Sequence, residues 1–279
     1  METTQVRVES GRTEVVRMSN GELRKNFLVE DLFAQDQIKW VYSHYDRMMI
    51  GGAAPGTAPL DLETQPVLRT PYFLERREMG VVNLGGKGIV EVEGEDFGLE
   101  KLGGMYLGRG TRRVQFRSES ASDPALFYLL SAPAHQAYPT VCLTQAEAGP
   151  MTIGHPLTAN QRTIYKYIHP EGVQSCQLVM GVTVLSAGSV WNTMPTHVHD
   201  RRMEVYCYFD LPEHQRVLHL MGEPHETRHL WLTNHQAVIS PPWSVHTGCG
   251  TSHYSFVWGM AGENQDYTDQ DPIDLSSLR

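Results

Sequence analysis

The 279-residue chain has four cysteines, Cys142, Cys176, Cys207 and Cys249, and no CxxC pair among them. That excludes a disulfide framework and a zinc ribbon, and leaves reduced, mostly buried thiols. Long apolar runs are also missing, so no membrane partner is expected. From Met1 to Asn26 the sequence is polar and charged, without the apolar stretch of a secretory signal, and a cytoplasmic protein is expected. Positive charge is in deficit: Lys+Arg number 23 against 32 Asp+Glu, a formal net charge of −9. This counts against nucleic acid and anionic membrane surfaces as partners, and no helix-turn-helix is evident. Gly85-Gly86-Lys87-Gly88 lacks the strand-then-helix setting of a phosphate loop and reads as a hairpin turn.

Helical periodicity is scarce apart from one expected helix near Leu23–Phe33. Short β-branched and aromatic runs dominate, ended by Gly, Pro, Asn and Asp. Examples are Gly88–Gly94, Arg113–Phe116, Ala125–Leu129, Val205–Phe209 and Tyr254–Trp258. The pattern predicts an all-β chain with a few short helices. A weak internal repeat aligns Gly88–Gly94, the corner Leu107–Gly110 and the strand at Phe127-Tyr128 with Val205–Phe209, Pro241–Ser244 and Phe256–Trp258. It predicts two barrels in tandem, 1–140 and 176–279, with residues 141–175 as linker. Arg112 and Arg113 stand after the first corner where the second has His246, so metal is expected only in the second barrel.

Histidine is concentrated there, with nine of 13 falling between His197 and His253. His197 and His199 form an HxH pair, whose side chains share one face of an extended strand. Glu204 follows after a short turn, and His246 sits just past Pro241-Pro242-Trp243. Any one of these is unremarkable as a surface or core residue; together they form a ligand set for one divalent transition metal.

Gly188, His197-x-His199 and Glu204 resemble the first motif of the cupin superfamily, and Pro241 to His246 resembles its second, with Trp243 where glycine is usual. Trp191–Pro195, Arg201–Tyr206, Glu226–His229 and Trp258-Gly259-Met260-x-Gly262-Glu263-Asn264-Gln265 are similar to the ketol-isomerases of 4-deoxy-L-threo-5-hexosulose uronate. So are the first-half runs Val41–Arg47 and Tyr72–Glu78. The resemblance implies two cupin-like barrels (double-stranded β-helices) and one zinc ion per subunit at His197, His199, Glu204 and His246. It also implies a homohexamer and a role in breaking down pectin-derived uronates. The implied reaction takes 5-dehydro-4-deoxy-D-glucuronate to 3-deoxy-D-glycero-2,5-hexodiulosonate.

Such an isomerisation moves a proton between adjacent carbons, and a metal with open positions can bind the two neighbouring oxygens. Four protein ligands would fill a tetrahedral zinc site, so an expanded coordination is expected. Tyr206 and Tyr208 follow Glu204 in strand alternation, which makes either phenol a candidate to carry a proton or bind substrate. Glu226 is a candidate general base. Arg202 and Arg228 are candidates to receive the substrate carboxylate through a bidentate fork. Asn264 to Tyr267 is a candidate to close over the barrel mouth. The competing readings are a cupin isomerase of another uronate, such as 5-deoxyglucuronate, a cupin dioxygenase and a non-enzymatic sugar-binding module.

Overall fold

Strands only a few residues long cannot bury an apolar face alone, so they pair into sheets that close on one another. The computed structural model describes residues 4–263 and 265–279; Asn264 of the motif above lies outside the described residues. The fold is all-β and cupin-like, with two short α-helices, Arg12–Val15 and Asn20–Phe27. Among the described residues no helix is long and apolar enough to cross a membrane.

The first barrel sets a seven-stranded sheet against a four-stranded one. Its large sheet runs Gln5–Arg7, Ile38–Ser43, Met49–Ala53, Phe127–Pro133, Arg77–Asn83, Gly104–Leu107, Val141–Leu143. The small sheet runs Leu60–Asp61, Val114–Ser118, Gly88–Val92, Glu95–Leu99. The second large sheet repeats this order: Met151–Ile153, Arg162–Ile168, Val179–Leu185, Ser255–Gly262, Arg202–Phe209, Gln236–Ser240, Leu28–Val29. It faces Glu226–Leu232, Val217–Glu223 and Thr247–Gly250.

This order corrects four expectations. Arg202–Phe209 corresponds to Arg77–Asn83, whereas Gly88–Val92 corresponds to Val217–Glu223. Strand composition had matched the wrong pair, because hydrogen-bonded neighbours, not glycine flanks, define equivalence. The expected linker 141–175 is not a linker: Val141–Leu143 edges the first large sheet, and Met151–Ile153 and Arg162–Ile168 belong to the second. The expected helix stops at Phe27, because Leu28 turns extended (φ −94°, ψ 132°) and pairs with Val238 of the second barrel. Ser19 starts that helix by accepting the Glu22 N–H, while the Glu22 carboxylate accepts the Ser19 N–H. Gly85–Gly88 is a corner between two sheets, since the flanking strands pair with other partners; a two-residue hairpin lies next to it. There Glu93 (φ 53°) and Gly94 (φ 91°) are both left-handed, as that turn demands.

The strand preceding each barrel therefore edges the other: Leu28–Val29 seals the second sheet and Val141–Leu143 the first. Alternation then sorts side chains to two cores. Met49, Met79, Val81, Phe127 and Leu129 fill the first barrel. Their sequence neighbours Ile50, Val82, Tyr128 and Leu130 face outward and pack with Met180, Val182, Val205 and Val257 of the second. The two large sheets thus lie against each other, closely enough that a Cβ on Gly259 would fall 2.1 Å from Leu130 Cδ1.

A charged side chain is bonded across this apolar interface. The buried Glu78 carboxylate accepts from Tyr106 Oη (2.8 Å) and from the N–H groups of Cys176 (2.6 Å), Gln177 (2.9 Å) and Leu178 (2.9 Å). Glu78→Gln puts an amide N–H against a row of donors, and is expected to lower stability by about 3 kcal/mol. A urea midpoint equal to that of the parent chain would show that this contact adds nothing.

Candidate metal centre

The HxH segment is extended, as its spacing predicts, but its pairing is unusual. His197 and Val198 pair with Pro272 and Asp271 near the C-terminus, while Trp191 makes a lone bridge to Cys249. The chain therefore leaves the small sheet before it reaches His197, and the C-terminal segment supports it instead. Glu204 comes from Arg202–Phe209, and His246 from the residue before Thr247–Gly250. The corner before His246 closes by Ser244 N–H donating to the Pro241 carbonyl (3.0 Å). Trp243 is not among the positive-φ residues, so the turn forms without the usual glycine.

These elements bring the four expected ligands together, one donor atom from each lying within 4.8 Å of the others. His199 Nε2 and His246 Nε2 lie 3.0 Å and 2.9 Å from the same Glu204 oxygen, and His246 Nε2 is 3.1 Å from His197 Nε2. His199 Nδ1 donates to the Asp269 carbonyl (3.0 Å) and His246 Nδ1 to the Ser244 carbonyl (3.1 Å). A carbonyl only accepts, so each ring carries its proton on Nδ1 and turns the Nε2 lone pair inward. Burial, then His246 and His199, push His197 down to about 2, so its ring is neutral. Burial opposes charge on Glu204, but its neighbours His246 and His199 outweigh it and hold the carboxyl below its usual range. Inward lone pairs and a carboxylate with no proton to share are a cation site, and three nitrogens with one oxygen suit a divalent transition metal.

The site opens on a cavity of about 310 Å³. His197, His199 and Glu204 line it, so this side of the donor set faces open space. Tyr206 lines it too, its hydroxyl 2.8 Å from Thr193 Oγ1. Ile164, Phe256, Trp258 and Met260 form an apolar wall, and Thr183, Tyr267, Gln270 and Arg162 add polar atoms. Tyr208 does not line this cavity; its hydroxyl meets His219 Nδ1 at 2.7 Å in the barrel interior.

Three sequence candidates fall elsewhere. Glu226 is exposed beside the turn of a hairpin and does not line the cavity. Arg228, on the same outer strand, donates to the carbonyls of Val15, Val16 and Met18 and so ties down the N-terminal segment. Arg202 is 1% exposed and reaches the Asp266 (2.7 Å) and Asp269 (3.0 Å) carbonyls. It holds the carbonyl that orients His199 and is a positioning residue, not a surface for substrate. Sequence reasoning missed Arg162, Thr183 and Gln270. Arg162 and its neighbours had been read as linker, although Thr163–Ile168 carries the β-branched and aromatic residues of a strand.

Two facing sheets per barrel and a three-histidine, one-glutamate donor set define a tandem cupin-like protein with one candidate mononuclear metal centre. The KduI/IolB family profile matches residues 27–275, and the chain belongs to that family. The 4-deoxy-L-threo-5-hexosulose-uronate ketol-isomerase of Halalkalibacterium halodurans is 54% identical, over 95% of this chain and 96% of that one. The ketol-isomerase 2 of the same name from Rhizobium meliloti is 55% identical, over 94% and 93%. Among solved structures, an IolB-like protein from Salmonella typhimurium superposes with a TM-score of 0.71 at 17% identity, covering 87% of this chain and 95% of that chain. An oxalate decarboxylase from Bacillus subtilis gives 0.60 at 9%, covering 87% and 78%. At those identities the two structures speak for the fold alone.

His199→Ala is expected to lose bound metal while keeping the parent's circular dichroism, as read by elemental analysis of purified protein. Arg202→Met should weaken metal affinity about 10- to 100-fold through the released Asp269 carbonyl. Metal titration against a competing chelator measures this, and an unchanged affinity would remove Arg202 from the site's support.

Proposed function

We propose that the chain is a zinc-dependent aldose–ketose isomerase that converts 5-dehydro-4-deoxy-D-glucuronate to 3-deoxy-D-glycero-2,5-hexodiulosonate in uronate catabolism. The observation that carries the reading is a donor set for one cation lining a cavity of a size for a six-carbon acid. The names of relatives at 54% and 55% identity support the same substrate.

Bound at His197, His199, Glu204 and His246, a divalent ion supplies Lewis-acid polarisation of a carbonyl and the hydroxyl beside it. The rest falls to the protein. Burial, then the Glu204 charge, raises the Tyr206 phenol well above its ordinary pKa, so it stays protonated. With Thr193 Oγ1 at its oxygen, that phenol is positioned to donate to a substrate oxygen as charge builds there. Phe256, Trp258 and Met260 give the cavity an apolar wall against which the carbon chain of a substrate can pack. The same reading includes a homohexamer, tested by sedimentation at six chain masses, and a cytoplasmic location, which four free cysteines suit.

Proton NMR of the product, with the enzyme as purified, stripped by chelator and reloaded with zinc, tests the reaction. Turnover should vanish on stripping and return on reloading; full activity in metal-free protein would defeat the reading. A panel with 5-deoxyglucuronate separates the two uronate isomerases. Tyr206→Phe should keep its metal and slow kcat about 10²-fold or more. Unchanged kinetics would reduce this side chain to packing.

A further inference from the structure

Among the described residues lining the cavity, Arg162 is the one lysine or arginine. Arg162 and Ile164 share a strand face, and Ile153, paired with Arg162 across the sheet edge, lines the cavity with them. Glu204 lies three strands away in the same sheet, and both side chains line the one cavity. A molecule held at the donor set by one end would therefore present its other end toward the guanidinium.

The electrostatics of Arg162 are unlike those of the arginines around it. Arg201 is paired with Asp269 and Asp271, while Arg202 and Arg228 are used up on backbone carbonyls. Arg162 makes one hydrogen bond, from Nη1 to the Asn160 carbonyl (2.7 Å), and no described carboxylate pairs with it. The charged or polar groups felt by this side chain are the phenols of Tyr206, Tyr267 and Tyr254, and burial lowers its pKa. A desolvated guanidinium without an anion is costly, and the cost is recovered when a carboxylate arrives.

We propose that Arg162 receives the substrate carboxylate and makes the site select acids over neutral sugars, which rests on the isomerase reading above. Its planar fork matches two carboxylate oxygens, a geometry that a lysine cannot reproduce.

The test uses metal-loaded full-length protein with Arg162→Met and Arg162→Lys. The methionine variant should raise KM for the uronate about 10- to 100-fold with kcat changed far less, and lysine should restore only part of the loss. Metal content should stay at the parent level in both. Independently of turnover, calorimetry should show the parent binding D-glucuronate more tightly than D-glucose, and Arg162→Met should erase that difference. A parent-like KM with an intact preference for the acid would overturn the proposal. If the parent protein isomerises no uronate, the reaction assignment falls, while the calorimetric comparison still decides the role of Arg162. Should the methionine variant fail to fold, the lysine variant decides: parent-like values for it would overturn the bidentate role.

Discussion

Three imidazole lone pairs and a carboxylate, held within 4.8 Å of one another, repel unless a cation lies between them. The second barrel is arranged to impose that convergence. Carbonyls of Ser244 and Asp269 take the Nδ1 protons, so the rings cannot turn their lone pairs away. Arg202 secures the Asp269 carbonyl, and Arg201 pairs with the Asp269 and Asp271 carboxylates. The C-terminal segment thus works as part of the centre: it pairs with His197, orients His199 and places Tyr267 and Gln270 on the cavity wall.

The two barrels show how one topology yields a packed core in one copy and a site in the other. Met79 and Glu204 hold equivalent places on equivalent strands, opposite Leu107 and Ser240 respectively. Counting on through the corner, Arg113 stands where the second barrel has His246. In the first barrel Met79 packs among Met49, Val81, Leu107 and Phe127 in an apolar core. In the second, polar residues at the matching positions gather a cation and leave a cavity beside it. Close packing of the large sheets, with Glu78 bonded across the join, gives the hollow barrel a rigid backing.

Much of this was legible in the residues. Short β-branched runs foretold an all-β chain, and the HxH pair, Glu204 and His246 were recognisable as one donor set by residue type and spacing. Glu226 and Arg228 misled because a carboxylate and a guanidinium read the same in sequence whether they face a cavity or solvent. Arg202 misled differently, since its carbonyl partners lie more than sixty residues along the chain.

The sequence by itself determined what strand periodicity can carry: which side chains share a face, how two histidines two apart can grip one ion, and which apolar residues turn inward. Tertiary structure alone decided that Arg162 joins the cavity, that Leu28–Val29 crosses to the far barrel, and that the C-terminal segment orients His199. The physical reason is range. Alternation along a strand follows from local backbone geometry, whereas the meeting of distant segments depends on how whole sheets close and seal their edges.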